Sequence, residues 1–241
     1  HIRGARHADL LVDLAASGAT FSFALPDAQR ALDALQALGI EDGSQIVIYD
    51  GSDGFWAARL WWMLRSLGLD ARVLDGGLRA WIAAGYPLER GDLPAARRGA
   101  LSTPAEYRDG FWIDRRHVEN VVAGAAAGTL VCALSAALFD GSAITRYARR
   151  GHIPGSRNLP ARTLFDDDGR YRRGAALDQA LAGLRQAEPP LLLYCGGGIS
   201  AAALALALTL AGETRVAIYD GSLQEWAAEP SLPLTTGAAP A

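Results

Sequence analysis

A cysteine at the end of an apolar segment carries the clearest chemistry in this sequence. Cys195 follows the apolar run Leu191–Tyr194 and precedes three consecutive glycines. Glycines allow the backbone to fold tightly and to point several N–H groups inward, which makes a nest for an anion. An apolar segment of helical length follows, so the positive end of a helix dipole adds to this field. The candidate site consists of Cys195 and the residues after it: Gly196, Gly197, Gly198, Ile199 and Ser200.

Such a loop favours the thiolate form of Cys195, which is the nucleophilic form of a cysteine. The alternative, a small buried cysteine beside a glycine turn, is disfavoured by the order strand, cysteine, glycine loop, helix. The four histidines and two cysteines show no ligand spacing, so no metal is expected. A dinucleotide site is also disfavoured, because Ala201 stands where the fingerprint has its third glycine. We therefore expect a nucleophilic cysteine that works without a cofactor.

The segments that must position this loop have the pattern strand, helix, strand. Leu191–Tyr194 predicts a buried parallel strand, Ser200–Ala211 an apolar helix, and Arg215–Tyr219 the next strand. This alternation favours an α/β fold with a mostly parallel sheet flanked by helices. Ligands of such sheets bind at the carboxyl ends of the strands, where Cys195 lies.

The same pattern occurs earlier in the chain. Val47–Gly51 matches Leu192–Gly196, and Val73–Leu78 matches Ile218–Leu223, in both cases 145 residues apart. The first copy accordingly predicts strands at Ile46–Tyr49 and Arg72–Leu74 around a helix at Ala57–Leu67. We predict two copies of one unit, residues 1–91 and residues 104–241, joined by a linker at residues 92–103.

The second copy has one more predicted strand than the first. Thr129–Cys132 predicts a strand that precedes His152. The motif around His152 has its counterpart at His1, so the matching strand of the first copy would lie before the sequence begins. We therefore expect the first domain to be truncated at its start and its sheet to lack a central strand.

Composition narrows the classes of partner. The chain has 241 residues, 50% hydrophobic and 20% charged, which is typical of a globular protein. A formal net charge of −3 argues against a nucleic-acid binder. Two cysteines make no disulfide framework and fit a reducing compartment, which predicts a cytoplasmic protein. The longest apolar run, Ile199–Ala211, is too short to span a bilayer, so no membrane association is expected. The oligomeric state stays open.

Several motifs resemble those of a known family and cover nearly the whole chain. They are the Cys195 loop together with Trp61–Leu64, Leu74–Gly77, His152–Gly155, Asn158–Pro160, Tyr219–Ser222, Glu225–Trp226 and Pro230–Pro233. In type and order they resemble two-domain rhodanese-family sulfurtransferases, of the 3-mercaptopyruvate or thiosulfate type. The resemblance implies tandem rhodanese-like domains. It also implies an inactive first domain, with Asp50 at the cysteine position, and a catalytic second domain.

The resemblance further implies the reaction. A sulfane sulfur would move from thiosulfate or 3-mercaptopyruvate to a thiophilic acceptor, cyanide or a thiol, through a persulfide on Cys195. The alternative is a non-catalytic sulfur carrier or a degenerate rhodanese-like binding protein. A redox protein that uses Cys132 and Cys195 is a further hypothesis, which requires the two thiols to lie within disulfide reach. Related phosphatases close the loop with an arginine that clamps phosphate, and Ala201 stands there in this sequence.

The sequence departs from the mercaptopyruvate type where those enzymes bind the substrate carboxylate. Leu134 and Leu138 stand where those enzymes bind the substrate carboxylate with arginines. Efficient use of 3-mercaptopyruvate is therefore in doubt, and the donor stays open. Three arginines in the following segment are candidate substitutes, although a solvated basic turn is the favoured interpretation: Arg146, Arg149 and Arg150. We interpret His152 as a structural hydrogen-bonding residue and Cys132 as a core cysteine.

Overall fold

The predicted alternation of strand and helix is present in both halves of the chain. The computed structural model describes residues 1–238, and the chain divides after Asp109 into a first and a second compact unit. The elements of the first unit are α1 (Ala28–Ala37), β1 (Ile46–Ile48), α2 (Phe55–Ser66), β2 (Ala71–Val73) and α3 (Gly77–Ala83). β1 and β2 pair in parallel, with Ile46 opposite Ala71.

The second unit has five strands and five α-helices among its described residues. The strands are β3 (Trp112–Ile113), β4 (Thr129–Cys132), β5 (Arg157–Asn158), β6 (Leu191–Tyr194) and β7 (Val216–Tyr219). The helices are α4 (Arg115–Val122), α5 (Ala136–Phe139), α6 (Gly174–Ala180), α7 (Ile199–Leu210) and α8 (Ser222–Trp226). All strand pairs are parallel, in the order β3-β7-β6-β4-β5.

β6 is the central strand of this sheet and is buried at every position. A strand covered on both faces is a continuous apolar run, which explains the sequence Leu-Leu-Leu-Tyr. α7 packs on β6 and β7 and is buried from Ala201 to Leu208. A helix that is buried on all sides is apolar on every face, which explains its alanines and leucines. The core therefore lies directly behind the loop that joins β6 to α7.

The repeat extends to single hydrogen bonds. In the first unit, the N–H group of Ile2 donates to the Tyr49 hydroxyl at 2.9 Å. In the second, the N–H group of Ile153 donates to the Tyr194 hydroxyl at 3.1 Å. Each bond connects the residue after a histidine to a tyrosine at the carboxyl end of a strand, β1 in the first unit and β6 in the second. The two units therefore share atomic detail as well as sequence motifs.

The constant offset of 145 residues holds for the strands but not for the helices. α2 begins at Phe55 and α7 at Ile199, which are 144 residues apart. The first unit has one more residue in the loop before the helix and one fewer between the helix and the next strand. The predicted helix Ala57–Leu67 therefore begins two residues too late, and Ser200–Ala211 one residue too late. The predicted strands Thr129–Cys132 and Leu191–Tyr194 match the structure at both ends. The other three strand predictions differ from it by a single residue at one or both ends, where such assignments vary most.

The first unit has a smaller sheet than the second. Between residues 1 and 109 the structure contains β1 and β2 as its named strands, with no counterpart of β4. The side chain of Val47 in β1 is 61% exposed, whereas the central strand β6 is fully buried. In the part of the chain that the structure describes, no helix is both long and apolar enough to cross a membrane.

Candidate active site

Cys195 lies directly after β6, at the carboxyl end of the central strand, and is 2% exposed. The three glycines after it are buried as well, whereas Ile199 and Ser200 are half-buried. Gly198 is the N-terminal cap of α7 and has a φ of 76°, a conformation that glycine adopts without a steric penalty. This residue lets the chain turn from the strand into the helix within four residues.

The loop presents a set of free hydrogen-bond donors. Within residues 1–238, no acceptor is found for the backbone N–H groups of Gly196, Gly197, Gly198, Ile199 and Ser200. The last two belong to the first turn of α7, where N–H groups have no partner inside the helix. Five unpaired donors beside a thiol, at the positive end of a helix, are suited to hold negative charge next to the sulfur.

The turn after β7 fixes the first residues of this loop. The N–H group of Cys195 donates to Ser222 Oγ at 3.1 Å, and that hydroxyl donates to the Tyr219 carbonyl at 2.9 Å. The N–H group of Leu223 donates to the Cys195 carbonyl, and that of Gln224 to the Gly196 carbonyl, at 3.1 and 2.9 Å. The backbone at Cys195 is therefore held from both sides, and the later N–H groups of the loop stay free.

Ser222 adopts an unusual conformation to make this contact. Its φ is 49°, in the left-handed region, where the first unit has a glycine, Gly77, with a φ of 55°. A non-glycine residue there costs roughly 1–2 kcal/mol. A glycine at this position would avoid the strain but would have no hydroxyl. The serine of the second unit is strained and provides the hydrogen-bond acceptor for Cys195.

The matching loop of the first unit is occupied by its own side chain. Asp50 Oδ1 accepts hydrogen bonds from the N–H groups of Ser52 and Gly54, both at 3.0 Å. Its Oδ2 accepts one from the N–H group of Ala57 at 3.0 Å. A carboxylate thus fills the place that the second unit leaves open. The N–H groups of this loop and helix start thus converge on a carboxylate in the first unit.

Cys132 lies at the end of β4, opposite Tyr194 of β6, and is completely buried in the core of the second unit. Burial raises the pKa of its thiol to about 12, so the thiol stays protonated at neutral pH. A protonated thiol is a poor nucleophile. Both cysteines are free. These observations favour the core interpretation of Cys132 over the redox hypothesis.

One of the three arginines in the segment before His152 has a different role from the one predicted. Arg149 is half-buried, and its guanidinium donates to four backbone carbonyls at 2.6 to 3.2 Å, those of Trp226, Ala227, Glu229 and Leu232. It therefore holds the segment after α8 in place. The interpretation as a solvated turn fits Arg146 and Arg150, which are exposed, but is wrong for Arg149.

The histidine of the His-Ile-Pro-Gly motif is structural. His152 Nδ1 lies 2.8 Å from the Phe139 carbonyl oxygen, and the two rings stack with centroids 3.6 Å apart. Its backbone pairs in both directions with Thr235 at 2.9 Å.

Leu134 packs against the same core, and Leu138 is half-buried. Neither leucine can replace the hydrogen bonds of an arginine.

One residue near the loop gave no signal in the sequence. Tyr147 places its phenol oxygen against Gly196 so closely that a Cβ atom on this glycine would overlap it. Burial raises the pKa of the Tyr147 hydroxyl most, and the charge of Cys195 raises it further, so this group stays protonated at neutral pH. Tyr147 belongs to the arginine segment and is remote from the loop along the chain, so neither spacing nor motif indicated it.

Comparisons with known proteins agree with these features. The Rhodanese-like domain family matches residues 1–84 and 126–229. A probable 3-mercaptopyruvate sulfurtransferase of Pseudomonas aeruginosa is 34% identical over 98% of this chain and 84% of its own length. A thiosulfate/3-mercaptopyruvate sulfurtransferase of Arabidopsis thaliana is 34% identical over 97% of this chain and 74% of its own.

A solved structure shares the fold. The Tum1 protein from Saccharomyces cerevisiae superimposes with a TM-score of 0.87 at 23% identity, over 100% of this chain and 84% of that one. The predictions of tandem rhodanese-like domains and of an enzyme that transfers sulfur are confirmed. The chain belongs to the family of rhodanese-like sulfurtransferases.

Proposed function

We propose that Cys195 is the nucleophile of this sulfurtransferase and carries the transferred sulfur as a persulfide. The observation that carries the proposal is the set of five unpaired N–H groups around the Cys195 loop, Gly196 to Ser200. In the first unit, Asp50, which has no sulfur to transfer, accepts hydrogen bonds from three N–H groups of the matching loop and helix start, those of Ser52, Gly54 and Ala57. The second unit is therefore the catalytic one.

In the first step, the thiolate of Cys195 attacks the outer sulfur of the donor. A sulfur–sulfur bond forms, and the bond from that sulfur to the rest of the donor breaks. With thiosulfate, the electron pair leaves on sulfite. With 3-mercaptopyruvate, it leaves on the enolate of pyruvate, which then takes up a proton. The free N–H groups hold the negative charge on the outer sulfur of the persulfide.

In the second step, a thiophilic acceptor attacks the outer sulfur. Cyanide forms a carbon–sulfur bond, the sulfur–sulfur bond breaks, and its electron pair returns to Cys195 as the thiolate. Thiocyanate leaves. A thiol acceptor reacts in the same way and leaves as a persulfide. The cycle is redox-neutral overall and requires no cofactor.

The donor is thiosulfate or 3-mercaptopyruvate, the substrates in the names of the relatives. Leu134 and Leu138 offer no charge for the carboxylate of 3-mercaptopyruvate, and Arg149 is engaged with backbone carbonyls. We therefore expect a higher KM for 3-mercaptopyruvate than a site with two arginines would show. A hydrogen bond to a charged group is worth about 1.5–3 kcal/mol.

We further propose an inactive domain at residues 1–91, a linker at residues 92–103 and a catalytic domain at residues 104–241. The acidic net charge supports a protein without a nucleic-acid partner. The free thiols support a reducing cytoplasmic location, away from membranes. A sulfur carrier without turnover is the second candidate function, because the donor-binding arginines of the mercaptopyruvate type are missing.

The test measures thiocyanate formation from cyanide with each donor, on wild type, Cys195→Ser and the matched control Cys132→Ala. Mass spectrometry after donor treatment without acceptor reports the persulfide as the gain of one sulfur atom. We expect activity and the mass gain in wild type and Cys132→Ala, and neither in Cys195→Ser. Activity that persists in Cys195→Ser would overturn the proposal. A persulfide on Cys195 without turnover would identify the carrier instead.

A further inference from the structure

We propose that the hydroxyl of Tyr147 is a catalytic hydrogen-bond donor of this site and contacts the outer sulfur of the Cys195 persulfide. The proposal rests on the proposed function of Cys195. Its first support is position. The phenol oxygen lies against Gly196, so close that only a residue without a side chain fits there. Gly196 also carries the first free N–H group of the loop. The hydroxyl therefore lies beside the donors that would hold the transferred sulfur.

The second support is that this hydroxyl has a proton to give. Tyrosine hydroxyls both donate and accept, whereas arginine only donates. The charge of Arg146 lowers the pKa of the phenol slightly, and a guanidinium cannot accept the hydroxyl proton. Among the described residues, no acceptor is found for the hydroxyl proton of Tyr147. A half-buried hydroxyl with an unused proton next to a nucleophilic sulfur is suited to donate to an anion on that sulfur.

The third support is the protonation state. Burial and the charge of Cys195 both raise the pKa of the Tyr147 hydroxyl, against a smaller opposing effect of Arg146. The phenol therefore keeps its proton while negative charge is present on the sulfur. The ring itself packs against the core of the second unit, which limits its movement. The hydroxyl thus requires little reorganisation when the persulfide forms.

This contact has a distinct kinetic consequence. The outer sulfur is the same atom whichever donor supplied it, whereas a donor-binding residue would contact the sulfonate or the carboxylate. Tyr147→Phe is therefore expected to lower kcat/KM with thiosulfate and with 3-mercaptopyruvate by the same factor, about 10- to 100-fold. It is also expected to lower the ratio of persulfide to free Cys195 at a fixed ratio of thiosulfate to sulfite by tenfold or more.

Tyr171→Phe is the matched control. Tyr171 is also buried in the second unit, and its hydroxyl donates to the Ala203 carbonyl at 3.3 Å, within the helix α7. We expect kcat/KM and the persulfide ratio of this variant to stay within about twofold of wild type. Phenylalanine keeps the ring packing of Tyr147, and melting temperatures verify the fold of both variants. Gly196→Ala, which displaces the hydroxyl but retains the ring, is a second variant expected to lower the persulfide ratio.

If Tyr147→Phe gives the same kcat/KM and the same persulfide ratio as Tyr171→Phe, the proposal is overturned. A fall in kcat/KM without the change in persulfide ratio would also overturn it, because packing alone would explain such a result. Failure of the proposed function has a different signature. In that case wild type would show no persulfide on Cys195, or Cys195→Ser would retain activity, whatever the result for Tyr147.

Discussion

The hydroxyl of Ser222 accepts a hydrogen bond from the backbone N–H group of Cys195 at 3.1 Å. Ser222 has a φ of 49°, which is rare for an amino acid with a side chain. This single bond connects the turn after β7 to the nucleophile at the end of β6. The first unit repeats the turn with Gly77, which lacks the hydroxyl. The bond is thus specific to the unit with the cysteine.

Ser222→Ala tests this connection. The substitution leaves the buried N–H group of Cys195 without an acceptor and keeps the strain of the left-handed backbone. We expect the free energy of unfolding to fall by about 1–3 kcal/mol, measured by urea denaturation, and thiocyanate formation to fall with it. Ser222→Gly removes the hydroxyl but also the strain, so its loss of stability should be smaller. A larger loss in the glycine variant would contradict this account.

Gly196→Ala is expected to lower activity by tenfold or more, because the new Cβ atom would overlap the phenol oxygen of Tyr147. Gly51 stands at the matching position of the first unit and provides the control. A Cβ atom there meets nothing within 4 Å. We expect Gly51→Ala to have wild-type rates of thiocyanate formation. Equal rates in the two variants would show that the space beside Gly196 is not needed.

Asp50→Ala removes the anion from the loop of the first unit. Three backbone N–H groups, those of Ser52, Gly54 and Ala57, lose their acceptor. We expect a loss of about 1–3 kcal/mol in the free energy of unfolding. Asp70→Ala, at an exposed residue, is the control and should change it by less than about 0.5 kcal/mol. Unchanged stability in Asp50→Ala would show that the carboxylate does not hold this loop.

Alkylation should distinguish the two cysteines. Burial raises the pKa of Cys132 to about 12, so its thiolate fraction is very small at pH 8 and rises about tenfold per pH unit up to that pKa. We expect iodoacetamide to modify Cys195, the proposed nucleophile, faster than Cys132 in the native protein, and both cysteines in urea. Peptide mass spectrometry after labelling identifies the sites. Rapid native labelling of Cys132 at pH 8 would contradict its burial as a protonated thiol.

Features that lie within a short stretch of sequence were predictable from the sequence. The run Leu191–Tyr194 predicted the central strand, since a strand buried on both faces must be apolar throughout. Cys195 with the three glycines predicted a loop with free N–H groups, because strand, loop and helix are adjacent in the chain. The internal match of 145 residues predicted two similar units. Each of these inferences depends on neighbours along the chain or on comparison of the chain with itself.

Contacts between residues remote in sequence required the tertiary structure. Tyr147 reaches Gly196, and Ser222 reaches Cys195, because separate elements fold onto the same edge of the sheet. Arg149 was predicted as part of a solvated turn, but backbone carbonyls after α8 surround it. The side chain of Asp50 fills its own loop, and this loop is one residue longer than the Cys195 loop of the second unit. Sequence alone determined the chemistry of the loop, whereas packing decided which distant side chains close around it, since no local pattern encodes those distances.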